Sequence, residues 1–105
     1  MRWCVYLLRC GDGSLYCGTT NDLARRFAAH CDGKGARYTR GRGPLSVVYV
    51  ERAADRGAAL SREWAIKALD RVEKEALVRS FVADAAGVFG THGEDQGLTP
   101  QAQDR

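Results

Sequence analysis

The first eighteen residues constrain the fold more than anything that follows them. Trp3-Cys4-Val5-Tyr6-Leu7-Leu8-Arg9 is an aromatic, β-branched and aliphatic run, broken by Cys10-Gly11-Asp12-Gly13-Ser14 and resumed by Leu15-Tyr16-Cys17-Gly18. Two such runs around a short glycine-containing stretch read as an antiparallel β-hairpin. A register that sets Arg9 opposite Gly13 pairs Leu8 with Ser14, Leu7 with Leu15 and Tyr6 with Tyr16. Two tyrosines then stand side by side on one face.

Thr19-Thr20-Asn21-Asp22 supplies helix-capping chemistry, and Leu23 to Cys31 has helical periodicity that stops at Asp32-Gly33. On that helix Leu23, Ala24, Phe27, Ala28 and Cys31 share an apolar arc, with Arg26 and His30 together on its edge and Arg25 turned to the polar side. A basic, glycine-rich loop with one aromatic, Asp32 to Pro44, leads to a third strand at Leu45 to Val50. Helical spacing returns from about Asp55 to Leu69 and from Asp70 to Ala85. A chain of 105 residues suits a single core, so residues 1–86 read as one domain and 87–105, rich in Gly, Gln and Asp, as a frayed or disordered tail.

Charge sharpens that division. Residues 1–86 carry 15 basic and 10 acidic side chains, whereas 87–105 carry Arg105 against Glu94, Asp95 and Asp104. Most of the excess lies between Arg25 and Arg42, where Arg25, Arg26, Lys34, Arg37, Arg40 and Arg42 oppose only Asp32. Clustering in a glycine-rich loop points to a polyanion-binding patch rather than a merely solvated surface. Cys4, Cys10, Cys17 and Cys31 form no CxxC pair, so the thiols read as reduced and largely packed rather than as a zinc site or disulfide framework. With no run of membrane-spanning length and no signal-like start, the expectation is a cytoplasmic protein with no membrane association.

One residue departs from its surroundings. In the helix after Asp55, Glu63 falls inside the apolar sector, between Ile66 and Ala59 on one side and Lys67, Leu60 and Trp64 on the other. A buried carboxylate needs a partner. A Glu63–Lys67 pair at i,i+4 and a metal-ligand role facing the hairpin remain equal alternatives.

Two hairpin tyrosines, an Arg-x-x-x-His helix edge and an inward glutamate resemble the GIY-YIG nuclease superfamily. Here the two signatures stand as Cys4-Val5-Tyr6 and Tyr16-Cys17-Gly18. The wider match runs through Thr19-Thr20-Asn21-Asp22-Leu23, Arg25-Arg26-Phe27, His30, Gly33-Lys34-Gly35-Ala36-Arg37, Gly43-Pro44 and Arg62-Glu63-Trp64-Ala65-Ile66-Lys67. It covers about residues 3–80 and is closest to the small single-domain bacterial branch, with likeness to excision-repair incision subunits and structure-specific resolving nucleases. The implied fold class is α/β, more narrowly α+β: a small three-stranded antiparallel sheet flanked by helices.

The resemblance implies phosphodiester hydrolysis with one divalent ion, Mg2+ or Mn2+, held by Glu63. Tyr6 corresponds to the tyrosine that takes a proton from the attacking water, helped by nearby cations. Tyr16 corresponds to a residue that positions water or phosphate, and Arg26 to the arginine that stabilises the transition state. His30 corresponds to a histidine that orients a tyrosine or touches phosphate. Lys34, Arg37, Arg40 and Arg42 are the expected nucleic-acid-binding residues. Many relatives use a further asparagine, but the only one here is Asn21, before the first helix. The leading expectation is a metal-dependent endonuclease acting on DNA, with RNA left open, directed by structure rather than sequence and serving repair or processing. With no length left for a reader domain, a protein partner is the other expected source of specificity. The alternative is a non-catalytic nucleic-acid-binding module of the same fold, and a weaker one is redox or metal sensing through the thiols.

Overall fold

The computed structural model describes residues 3–89. Its elements run β1 (Cys4–Arg9), β2 (Leu15–Thr20), α1 (Leu23–Cys31), a 3-10 turn (Arg37–Thr39), β3 (Ser46–Arg52), α2 (Arg56–Lys67) and α3 (Arg71–Phe89). The three strands form one antiparallel sheet in the order β2-β1-β3. The expected α+β architecture is the one observed. The third helix passes through Gly87, where the tail is expected to begin, and is described as far as Phe89; residues 90–105 lie outside the described residues.

β1 is the central strand, and Val5, Tyr6, Leu7 and Leu8 are fully buried. A strand covered on both faces has no need of alternation, which is why its sequence reads as a continuous apolar run. Val5 and Leu7 join Cys17, Tyr49, Ala59, Ile66 and Val78 beneath α2 and α3. Cys4, Tyr6 and Leu8 face the other way and pack with Tyr16, Leu23, Phe27, Leu45, Val47 and Val50.

The hairpin register differs from the sequence expectation. Tyr6 pairs with Gly18, Leu7 with Cys17, Leu8 with Tyr16 and Arg9 with Leu15. The turn is wider because Cys10 N–H donates to the Ser14 carbonyl at 2.8 Å and Asp12 Oδ1 accepts from Ser14 N–H at 3.0 Å, an Asx-type closure. A slip of two positions along β2 preserves side-chain parity, so both tyrosines still face α1, diagonally rather than directly opposed.

Each helix starts on an aspartate. Asp22 Oδ1 accepts from Arg25 N–H at 3.1 Å, and Asp55 Oδ1 from Ala58 N–H at 2.8 Å. Asp70 and Glu73 exchange bonds at 2.8 and 3.0 Å in a capping box. Arg9, at the end of β1, holds Glu75 of α3 through two bonds at 2.6 and 2.8 Å. Cys4, Cys10 and Cys17 are buried free thiols, whereas Cys31, expected on the apolar arc, is exposed. No helix among the described residues is long and apolar enough to cross a membrane.

Candidate active site

The site is built around β2, one of the two edge strands. Its even-numbered residues face α1 and its odd-numbered ones face α2, so one short strand supplies both sides. Tyr16 and Gly18 lie toward α1. A Cβ at Gly18 would clash with the Tyr6 hydroxyl and meet its Cζ at 2.6 Å. Glycine there is a condition for the Tyr6 ring to lie across the strand.

His30 is the most buried residue of α1, at 1% exposure. The helical wheel had placed it on the edge of an arc through Ala24 and Ala28, but both alanines are exposed; Leu23, Arg26 and Phe27 are half-buried. The face is rotated because His30 finds polar partners inside. Its Nε2 lies 2.8 Å from Tyr6 Oη, and its Nδ1 lies 3.1 Å from Thr39 Oγ1 and 3.3 Å from the Ala36 N–H. The amide of Ala36 is a fixed donor, so Nδ1 accepts and the ring proton sits on Nε2, donating to Tyr6. This tautomer is assigned from the hydrogen-bond network. Gly35 gives the ring its room, since a Cβ there would meet His30 Cγ at 2.8 Å.

The aromatic groups form one layer. Tyr6 and Tyr16 have ring centroids 6.4 Å apart, and Tyr16 and His30 5.3 Å edge-on. Tyr38 stacks on Tyr16 at 5.8 Å, and the Arg42 guanidinium lies 4.3 Å above Tyr38. Arg42 also holds Asp12 of the hairpin turn at 2.5 Å. This member of the expected phosphate-binding set is therefore already engaged as a strap across Tyr38. Lys34, Arg37 and Arg40 are exposed.

Burial dominates the ionisation of this half. It pushes the Tyr6 phenol up to about 12; Arg26 pulls the other way but is outweighed, with Tyr16 and Glu63 adding to the rise. Burial also lowers His30, and the Arg26 charge lowers it further. At neutral pH both groups are uncharged.

Across the strand the arrangement is opposite in character. Glu63 Oε1 accepts from the Thr19 hydroxyl at 2.6 Å, and Oε2 lies 2.8 Å from the Lys67 ammonium. The i,i+4 pair thus forms, at the floor of an open groove lined by Leu60, Glu63, Trp64, Lys67 and Ala68. Burial alone would raise the Glu63 carboxyl, but Lys67 and Thr19 outweigh it and hold it below the usual range. Among the described residues no three His, Cys, Asp or Glu side chains gather as a metal cage. One half-buried carboxylate opening on a groove fits a hard ion that retains water and phosphate oxygens, as Mg2+ and Mn2+ do. The Lys67 ammonium marks where positive charge is already favoured.

Three contributors went unidentified in the sequence. Thr19 holds the carboxylate, Thr39 is a buried partner of His30, and Tyr38 extends the aromatic layer. Only Tyr38 left a signal, as the lone aromatic of a basic loop.

The GIY-YIG catalytic domain matches residues 2–76. The UPF0213 protein of Vibrio cholerae is 53% identical over 77 residues, 72% of this chain and 76% of that one. That of Pseudomonas aeruginosa is 51% identical over 76 residues, 72% of this chain and 73% of its own. The solution structure of the UPF0213 protein of Bacillus halodurans matches with a TM-score of 0.50 and 46% identity, over 75% of this chain and 84% of that one. An E. faecalis protein matches with a TM-score of 0.52 and 31% identity, over 91% of this chain and 94% of its own.

Proposed function

The chain belongs to the GIY-YIG nuclease family, and from that membership we propose that it is a divalent-metal-dependent endonuclease cutting phosphodiester bonds in DNA. It is directed by substrate structure rather than sequence, and its work is repair or processing. One observation carries the reading: Tyr6, His30 and Glu63 meet residues 16–19 of β2, and the Arg26 charge acts on both Tyr6 and His30.

Hydrolysis of a phosphodiester needs a proton acceptor for water and positive charge around the phosphate. Tyr6 Oη accepts the proton in its phenolate form. His30 supports that form by donating from Nε2, and Arg26 by its charge, both against the burial that holds the phenol near 12. Arg26 also faces the charge that develops on the phosphate oxygens. Tyr16, gripped between His30 and Tyr38, orients the water or the phosphate. Glu63 would hold the ion, which when bound would supply positive charge at the scissile phosphate. Lys34, Arg37 and Arg40 bind backbone phosphates of the strand.

The engagement of both Glu63 oxygens favours a second reading, a binding module in which the carboxylate is purely structural. A panel of labelled single-stranded, nicked, flapped, branched and duplex DNA and RNA, with Mg2+, Mn2+ or chelator, separates the two. Ion-dependent products that vanish in Glu63→Ala and Arg26→Ala are expected. Undiminished cleavage by both variants contradicts the site assignment. Salt-sensitive binding by the wild type, without products on any substrate, supports the binding module.

A further inference from the structure

α2 completes its packing without its largest side chain. Ala59 and Ile66 are fully buried beneath it, whereas Trp64 is 68% exposed and Leu60 42%. Both line, with Ala68, the groove whose floor is Glu63 and whose edge is Lys67. The groove has an open volume of about 460 Å3. A wet tryptophan beside a carboxylate–ammonium pair calls for a ligand with two parts: a planar apolar face for the indole, and an anionic group within reach of Lys67.

A nucleotide has both parts, and its pairing state matters. In a duplex each base is covered on both faces by its neighbours, while an unpaired base offers a free face to an aromatic side chain. We propose that Trp64, flanked by Leu60 and Ala68, is a stacking platform for an unpaired nucleobase adjoining the phosphate at Glu63. The platform rests on the nuclease reading and deepens it, because it limits the substrates to DNA strands unpaired beside the cut. Lys67, half-exposed on the same edge, contacts the phosphate of the stacked nucleotide when it leaves Glu63.

The test is binding by the full chain without metal, so that it does not depend on cleavage. In a Trp3→Phe background the emission reports Trp64 alone. Solvent-exposed emission is expected for the free protein, with quenching by a single-stranded oligothymidylate and little change with a blunt duplex. Trp64→Ala weakens single-strand binding by roughly tenfold or more and leaves duplex binding as it was, while Trp64→Phe keeps most of the affinity. Equal effects on both nucleic acids, or none on either, overturn the platform. So does buried emission from the free protein, or a dimer that Trp64→Ala converts to a monomer, either of which assigns the face to protein contact. Selective single-strand binding through Trp64 with no cleavage in Mg2+ keeps the platform and sinks the nuclease reading. Cleavage indifferent to Trp64→Ala, with binding likewise unchanged, sinks the platform alone.

Discussion

Two acid–base pairs flank β2, and they are built in opposite ways. Tyr6 and His30 are sealed, joined by a 2.8 Å hydrogen bond and kept neutral by burial. Glu63 and Lys67 are joined at the same distance, but both carry charge, and the Lys67 side chain is 53% exposed. A buried pair is held by everything packed around it. A pair open to water is held only by itself, and exchanges partners at little cost. The difference suits the sealed half to a proposed base held in fixed geometry, and the open half to the proposed entry of an ion or a phosphate.

The largest expected contrast is in stability. Tyr6→Ala empties a fully buried site and lowers unfolding stability by about 3–5 kcal/mol, whereas Lys67→Ala changes it by less than about 1 kcal/mol. Comparable losses in paired urea titrations break the distinction between the halves. His30→Ala comes next, at about 1–3 kcal/mol, since the Tyr6 hydroxyl and Ala36 amide lose a buried partner.

pH separates the halves more finely. The folded state lowers His30, so the stability gained from the neutral ring is present above the ordinary histidine value of about 6.5 and is lost as pH falls through the folded value. Glu63 is lowered from the carboxylate range, so its contribution is lost only in stronger acid, below about 4.5. Melting curves across pH 2–8 should show a first decline that His30→Gln removes and a second, in acid, that Glu63→Gln reduces. A single decline unaffected by His30→Gln contradicts the sealed, neutral imidazole. Smallest in amplitude is the ultraviolet titration of the phenols: one tyrosine stays protonated until about pH 12 and is missing in Tyr6→Phe.

The structure is most legible in the residues alone where it is local. The bounds of α1 follow from its cap and from Asp32-Gly33, and the inward position of Glu63 follows from the wheel of α2. What escaped depends on distant partners. The wheel of α1 favoured its alanines, because nothing in Leu23 to Cys31 announces that Thr39 and the Ala36 amide come back over His30. The hairpin register missed by two positions because Asp12 and Ser14 widen the turn, an effect of side-chain hydrogen bonding that apolar patterning does not encode. Arg42 looked like its neighbours in the basic loop, yet its partner Asp12 lies thirty residues away, in the hairpin turn.

Glu63 on the open face and Tyr6 on the sealed face are proposed to act on one phosphate. Single-turnover cleavage of a labelled DNA strand in Mg2+, compared among wild type, Glu63→Gln and Tyr6→Phe with matched circular dichroism, tests it most directly. The prediction is a loss of about 10²–10³-fold or more in each variant, with a wild-type rate that climbs about tenfold per pH unit across the neutral range as the phenolate fraction grows. Wild-type cleavage that both variants reproduce at full rate would contradict it.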